Sequence, residues 1–148
     1  MTVYGNTAQF GGGIANEVVG AGNVTMETSI VAGDSANRGP DVSGTLTLYY
    51  PNLIQDIAGA TIAYGNAPAR QSIFGTSPGV GHLQNNGGPT QTLALLPGSP
   101  AIDLVPSTPG LCDQNQNTNY YFWLDQRGVK RPAKPGTPCD VGAYEHSS

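Results

Sequence analysis

Apolar and polar positions alternate in short runs from the N-terminus to Asn66. In "VTMET" (24–28) and "TLTLY" (45–49) every second side chain is apolar, with Thr or Glu between. That period of two places one face of a strand toward a core and the other toward water. The runs are brief, and Gly, Asn, Asp or Pro separates them, as in "VTMETSIVA", "GTLTLYYPNLI" and "GATIAYGNA". The runs also repeat. "VYGNTA" (3–8) matches "VAGDSA" (31–36) at an offset of 28, and the same offset brings "GGGIAN" (11–16) onto "GPDVSG" (39–44). "NVTMETSIV" (23–31) resembles "TLTLYYPNLI" (45–54) at an offset near 22.

Strands this short cannot bury their apolar face alone. Repeats at such offsets predict that successive units stack, so that like residues form ladders along a shared core. The expected fold is all-β, a short parallel β-helix over residues 1–66. A sandwich or jelly roll is the competing arrangement of many short strands. Asn6, Asn16, Asn37 and Asn52 are expected at turns, because asparagine tolerates left-handed backbone and bonds to its neighbours there.

From residue 67 the repeat is lost, and 67–148 reads as an irregular C-terminal capping region of the same domain. "LQNNGGPTQTLALLPGSPAID" (83–103) is neither an amphipathic helix nor a regular strand. "NNGGP" predicts a tight turn, and "TLALL" predicts apolar side chains that plug the end of the core. "YYFWL" (120–124) and "DVGAYE" (140–145) are expected as strands.

Composition narrows the partners. Charged residues are only 11% of the 148, the net charge is −4 and Lys plus Arg number six. No basic stripe exists, so nucleic acid is not expected as a partner. No window of 18 apolar residues exists, so no membrane span is expected. Gly (21) and Pro (12) fit a turn-rich β chain. Cys112 and Cys139 lie 27 apart with no His cluster near them, which argues against zinc. They are either a disulfide or two buried thiols, and the low-charge, Asn/Thr/Gly-rich composition favours the disulfide of an extracellular protein. Residues 1–13 lack the basic and apolar regions of a signal peptide, so export would make this chain a fragment of a longer protein.

Three motifs together, "LQNNGGPTQTLALLPGSPAID", "DQRGVKRP" (125–132) and "CDVGAYE" (139–145), resemble the C-terminal region of large bacterial surface proteins with right-handed parallel β-helix repeats, the choice-of-anchor Q domain. "SIVAGDSANRGPDVSGTLTLYYPNLIQD" (29–56) is similar to the last coils before that region. The resemblance covers nearly the whole chain and departs from it in the extended "CDQNQNTNYYFWLDQRG" (112–128). It implies a right-handed β-helix on an exported or cell-surface protein, and it implies no catalysis.

Candidate chemistry is sparse. Asp103, Asp125, Asp140 and Glu145 stand near Arg127, Lys130 and Arg131 in these motifs. A glycosidase would need two of the acids at a groove. The favoured reading is a partly buried ionic network that holds the cap together. Asp113, Asn115, Asn117 and Asn119 have the alternate spacing of a calcium loop, but Thr118 and Leu124 replace its glycine and bidentate acid. No metal or cofactor is therefore expected. His82 and His146 have no Ser or Cys motif beside them. Tyr49, Tyr50, Tyr64, Tyr120, Tyr121 and Trp123 could stack on sugars or serve as ladders and core. The expected function is a structural or adhesive surface module, a stalk or spacer end, self-associating head-to-tail through its uncapped first coil. The alternatives are a carbohydrate-binding module, with a surface polysaccharide as partner, or a pectate-lyase-like enzyme. Arg38 and Arg70 are the only bases on the coils, which argues against the lyase.

Overall fold

A computed structural model describes residues 1–17, 23–107, 112 and 124–146. They form two compact units, 1–78 and 79–148, and contain strands but no α-helix.

In the first unit the sequence offsets are the strand register. β1 (Thr2–Tyr4), β2 (Thr7–Phe10) and β3 (Ile14–Asn16) pair in parallel with β5 (Ile30–Ala32), β6 (Ser35–Arg38) and β7 (Val42–Tyr49). Val3 meets Val31, Thr7 meets Ser35 and Ile14 meets Val42, so all three pairs keep the offset of 28. β4 (Val24–Glu27) lies on the second half of β7, with Val24 opposite Leu46 and Met26 opposite Leu48 at the offset of 22. β8 (Leu53–Ile54), β9 (Ala60–Tyr64) and β10 (Ile73–Phe74) extend the parallel pairing. One sheet therefore runs β1-β5-β8-β10. A 3₁₀ turn, Pro68–Gln71, precedes β10. Ile73 and Phe74 thus belong with the parallel strands, although the repeat is no longer visible in the sequence after residue 66.

The alternation sorts the side chains as expected. Met26, Leu46 and Leu48 are buried and Thr25 and Thr45 exposed. With Val31, Val42, Ile54 and Ala69 they form the core, against which Val3, Ile14, Ile62 and Phe74 pack. Among the described residues no strand exceeds the eight residues of β7, so burial comes from stacking neighbours rather than from any strand alone.

The turns match expectation in part: Asn6 and Asn52 lie between strands, whereas Asn16 ends β3 and Asn37 falls in β6. Among the described residues, Thr28 and Tyr50, at equivalent positions of successive passes, hold left-handed backbone with φ of 44° and 57°, as do glycines such as Gly5 and Gly33. None of the four asparagines does. Asn6 and Asn52 act instead through their side chains. Asn6 donates its N–H and Nδ2 to Asp34 Oδ1, at 2.7 and 2.8 Å. Asn52, fully buried, accepts from Ser29 N–H and donates to the carbonyls of Met26, Tyr49 and Tyr50. It thereby satisfies backbone groups that the short strands leave unpaired.

The second unit is built differently. β11 (Val80–Gln84) and β12 (Thr92–Leu95) form an antiparallel hairpin. Its loop holds left-handed Gly87 and Gly88, as "NNGGP" predicts. Residues 92–95 are thus a regular strand, against expectation. Of "LALL", Leu95 is buried, Leu93 and Ala94 are half-buried and Leu96 is exposed. After the hairpin, antiparallel pairing among the described residues shrinks to two isolated bridges, Val105 with Cys139 and Leu124 with Lys130. The strand expected over 140–145 does not form. Its backbone is held by charged side chains. Residues 120–123 of the expected aromatic strand lie outside the described residues.

Candidate functional site

The densest gathering of chemistry lies in the second unit. Asp125, Arg127, Arg131, Asp140 and Glu145 come together in a buried charge cluster. The Asp125 side chain is fully buried, and its carboxylate accepts from four donors. The N–H groups of Arg127 and Val129 reach Oδ1, while Arg127 Nε and the N–H of Glu145 reach Oδ2. Arg127 Nη2 lies 2.7 Å from the same carboxylate and also donates to the Glu145 carbonyl at 2.6 Å. The guanidinium stacks 3.6 Å from the Tyr144 ring centre, a desolvated cation–π contact. The hairpin loop also takes part. Arg127 Nη1 donates to the Asn86 carbonyl, and Gly88 leaves no room for a side chain beneath the Arg127 backbone.

Arg131 serves a second set of groups. Its Nη1 and Nη2 donate to the carbonyls of Asp140 and Gly142, at 3.2 and 2.7 Å. Only Nε is left toward Glu145, at 3.7 Å, beyond hydrogen-bond range. Glu145 accepts from the N–H of Ala133 and of Asp140. Asp140 accepts from the N–H of Asp103 and of His146. The segment 139–146 is therefore tied down by carboxylates and guanidiniums where a ladder would otherwise do so. Asp103 contributes its backbone, in left-handed conformation, and its side chain is exposed.

The cluster's electrostatics follow from this bonding. Burial opposes the charge on Asp125, yet its N–H donors and Arg127 outweigh burial and hold the carboxyl below its ordinary range. Burial pushes Glu145 up to about 7, with the charge of Asp140 acting in the same direction. Burial also raises Asp140 and lowers Arg131. An ion pair alone would move Glu145 and Arg131 the other way. Because the two groups make no hydrogen bond to each other, desolvation outweighs their attraction. Every carboxyl oxygen of Asp125, Asp140 and Glu145 faces a backbone or guanidinium N–H. All three residues are buried, so none offers an open acid or base to a substrate.

Cys112 and Cys139 are joined by a disulfide with a Cα–Cα distance of 5.8 Å. Asp113, Asn115, Asn117 and Asn119, the calcium candidates, lie outside the described residues, as do Tyr120, Tyr121 and Trp123. Among the described residues no group of three acids, histidines or cysteines is arranged to hold a metal. His82 is exposed on β11 and stands far along the chain from His146.

On the first unit, Tyr64 is covered on one face by Arg70, 5.0 Å from the ring centre, and the Tyr49 ring lies flat against Gly65. Arg38 pairs loosely with Glu17 at 3.7 Å. A carboxylate series is also present that no motif announced. Asp34 accepts from Asn6, while Asp41 accepts from the N–H groups of Asp34 and Asp56. Burial raises the Asp41 carboxyl. The repeat carried the signal, because Asn6 and Asp34 are equivalent at the offset of 28. Among the described residues no helix is long and apolar enough to cross a membrane. Comparison with protein-family models finds no match, and neither curated proteins nor solved structures give a significant one.

Proposed function

We propose that the chain is a structural module of a bacterial extracellular or cell-surface protein, a short right-handed parallel β-helix followed by a C-terminal capping region. Its work is to act as a stalk or spacer end. The observation that carries the reading is the β1-β5-β8-β10 sheet, in which successive passes of the chain pair in parallel. Val3 lies on Val31, Val31 on Ile54, and Ile54 on Phe74. The disulfide supports an oxidising compartment. The buried carboxylates of Asp125, Asp140 and Glu145, each oxygen facing an N–H donor, support a scaffold role over a catalytic one.

Self-association belongs to the same reading. All four residues of β2 are exposed, and residues 1–16 contain no charged side chain and no proline. Those are the devices by which sheet edges ordinarily avoid pairing with another copy. Head-to-tail contacts that do not close would produce filaments. Negative-stain electron microscopy of the oxidised chain at low and high concentration tests this. Fibres that lengthen with concentration are expected. Discrete particles at every concentration would remove self-association from the reading, and specific binding to a defined polysaccharide would move the chain to the carbohydrate-binding class.

A further inference from the structure

The charge cluster of the second unit contains three carboxyl groups, on Asp125, Asp140 and Glu145, and two guanidiniums, on Arg127 and Arg131. The side chains of both arginines are 8% exposed, and Asp140 and Glu145 are 2% exposed as residues. Three negative charges against two positive leaves one excess negative charge out of water, which is costly. The bonding locates the excess. Asp125 and Arg127 form a close, self-contained pair at 2.7 Å. Arg131 is left to balance both Asp140 and Glu145, yet its two terminal nitrogens are committed to carbonyls. Asp103 adds a further negative charge beside Asp140. Among the described residues, His146 donates its backbone N–H to Asp140 and buries its ring Nδ1 without a hydrogen-bond partner, while Lys130 and Lys134 are exposed.

We propose that this cluster is a proton-dependent fastening of the C-terminal segment: it closes with one proton bound on the Asp140–Glu145 pair, and the segment 139–146 loosens when that proton is lost. The link to the backbone is direct. Glu145 holds the N–H groups of Ala133 and Asp140, and Asp140 holds those of Asp103 and His146. A second full charge on the pair would be buried with only Arg131 beside it, and the segment 139–146 carries both carboxyls, so opening the segment relieves that charge.

The sign follows from the group that is raised. Glu145 binds its proton more tightly in the folded chain, up to about 7 against an ordinary 4.5. Its contribution is complete below about pH 4.5 and disappears as pH rises through 7. Asp140 is raised in the same direction by burial, so its contribution has the same sign. Asp125 is lowered, so its contribution is lost only as pH falls below the ordinary carboxylate range. Arg131 remains charged throughout.

The experiment uses the oxidised full chain, labelled with ¹³C and ¹⁵N. The Glu145 carboxyl resonance is expected to titrate with a midpoint near 7. The opening equilibrium read by amide protection at Ala133, Asp140 and Glu145 should rise by up to about tenfold per pH unit between pH 5 and 7. Glu145→Gln, which removes the charge, should abolish that slope. Should the variant fail to fold, the titration of the unaltered chain decides. An ordinary carboxyl midpoint, or protection that does not change between pH 5 and 7, would overturn the proposal.

Discussion

Asn52 illustrates how single residues hold this fold. It is completely buried, and one side chain links the backbone of two passes. A polar residue in an apolar stack persists only when its bonds are made. Replacing it with alanine strands the Ser29 N–H and three carbonyls inside the first unit. Asn52→Ala should cost about 2–4 kcal/mol, read as a lower urea midpoint with an unchanged slope. A loss below about 1 kcal/mol, the usual net worth of a single hydrogen bond, would mean that these bonds are incidental. The sequence placed Asn52 at a turn but did not reveal that it would be buried. Period and composition report which face a side chain takes, and they say little about which backbone groups lack partners. The left-handed Thr28 and Tyr50 escaped notice for a related reason, because neither residue type advertises that conformation.

At the scale of elements, the first unit was legible because its repeat is its register. Offsets of 28 and 22 between like residues are the distances at which the strands pair. β10 was not legible, since Ile73 and Phe74 follow a 3₁₀ turn and share no motif with Leu53 and Ile54 beyond being apolar. In the second unit the turn of the hairpin could be read, but its strands could not, because the Gly and Pro that flank "TLALL" mask a four-residue run. "DVGAYE" misled for a physical reason: its backbone is satisfied by Arg127, Arg131, Asp125 and a few carbonyls rather than by a neighbouring strand. The acids and bases of that cluster were visible as candidates. Tyr144 and Asn86 were not, because their roles depend on contact across the fold. The Cys112–Cys139 bridge spans a sequence separation of 27. Cys112→Ser is expected to destabilise the second unit by about 3–4 kcal/mol in the chain-entropy picture. Thermal unfolding with and without reductant checks this, and equal midpoints would show the bridge to be dispensable.

For the whole molecule, low charge, abundant glycine and short strands work in combination. Among the described residues neither unit contains a long self-sufficient element. In the first, order comes from repetition, each pass supplying the edge and apolar face for the next. In the second, it comes from a hairpin, one disulfide and buried charges whose bonds go mostly to backbone. The proposed scaffold role draws on this construction, in which the carboxylates of Asp125, Asp140 and Glu145 bond to backbone and guanidinium donors. The claim on which this rests is that successive passes stack in parallel at the offset of 28. Thr7 and Ser35 test it directly, because they face each other on exposed strands with hydroxyls 3.0 Å apart. Paired substitution Thr7→Cys and Ser35→Cys, followed by mild oxidation and peptide mass mapping, should link residues 7 and 35 in high yield. Thr7→Cys with Ala36→Cys, whose side chains point to opposite faces, should not link. Failure of the first pair, or equal linkage of both, would contradict the stacked arrangement.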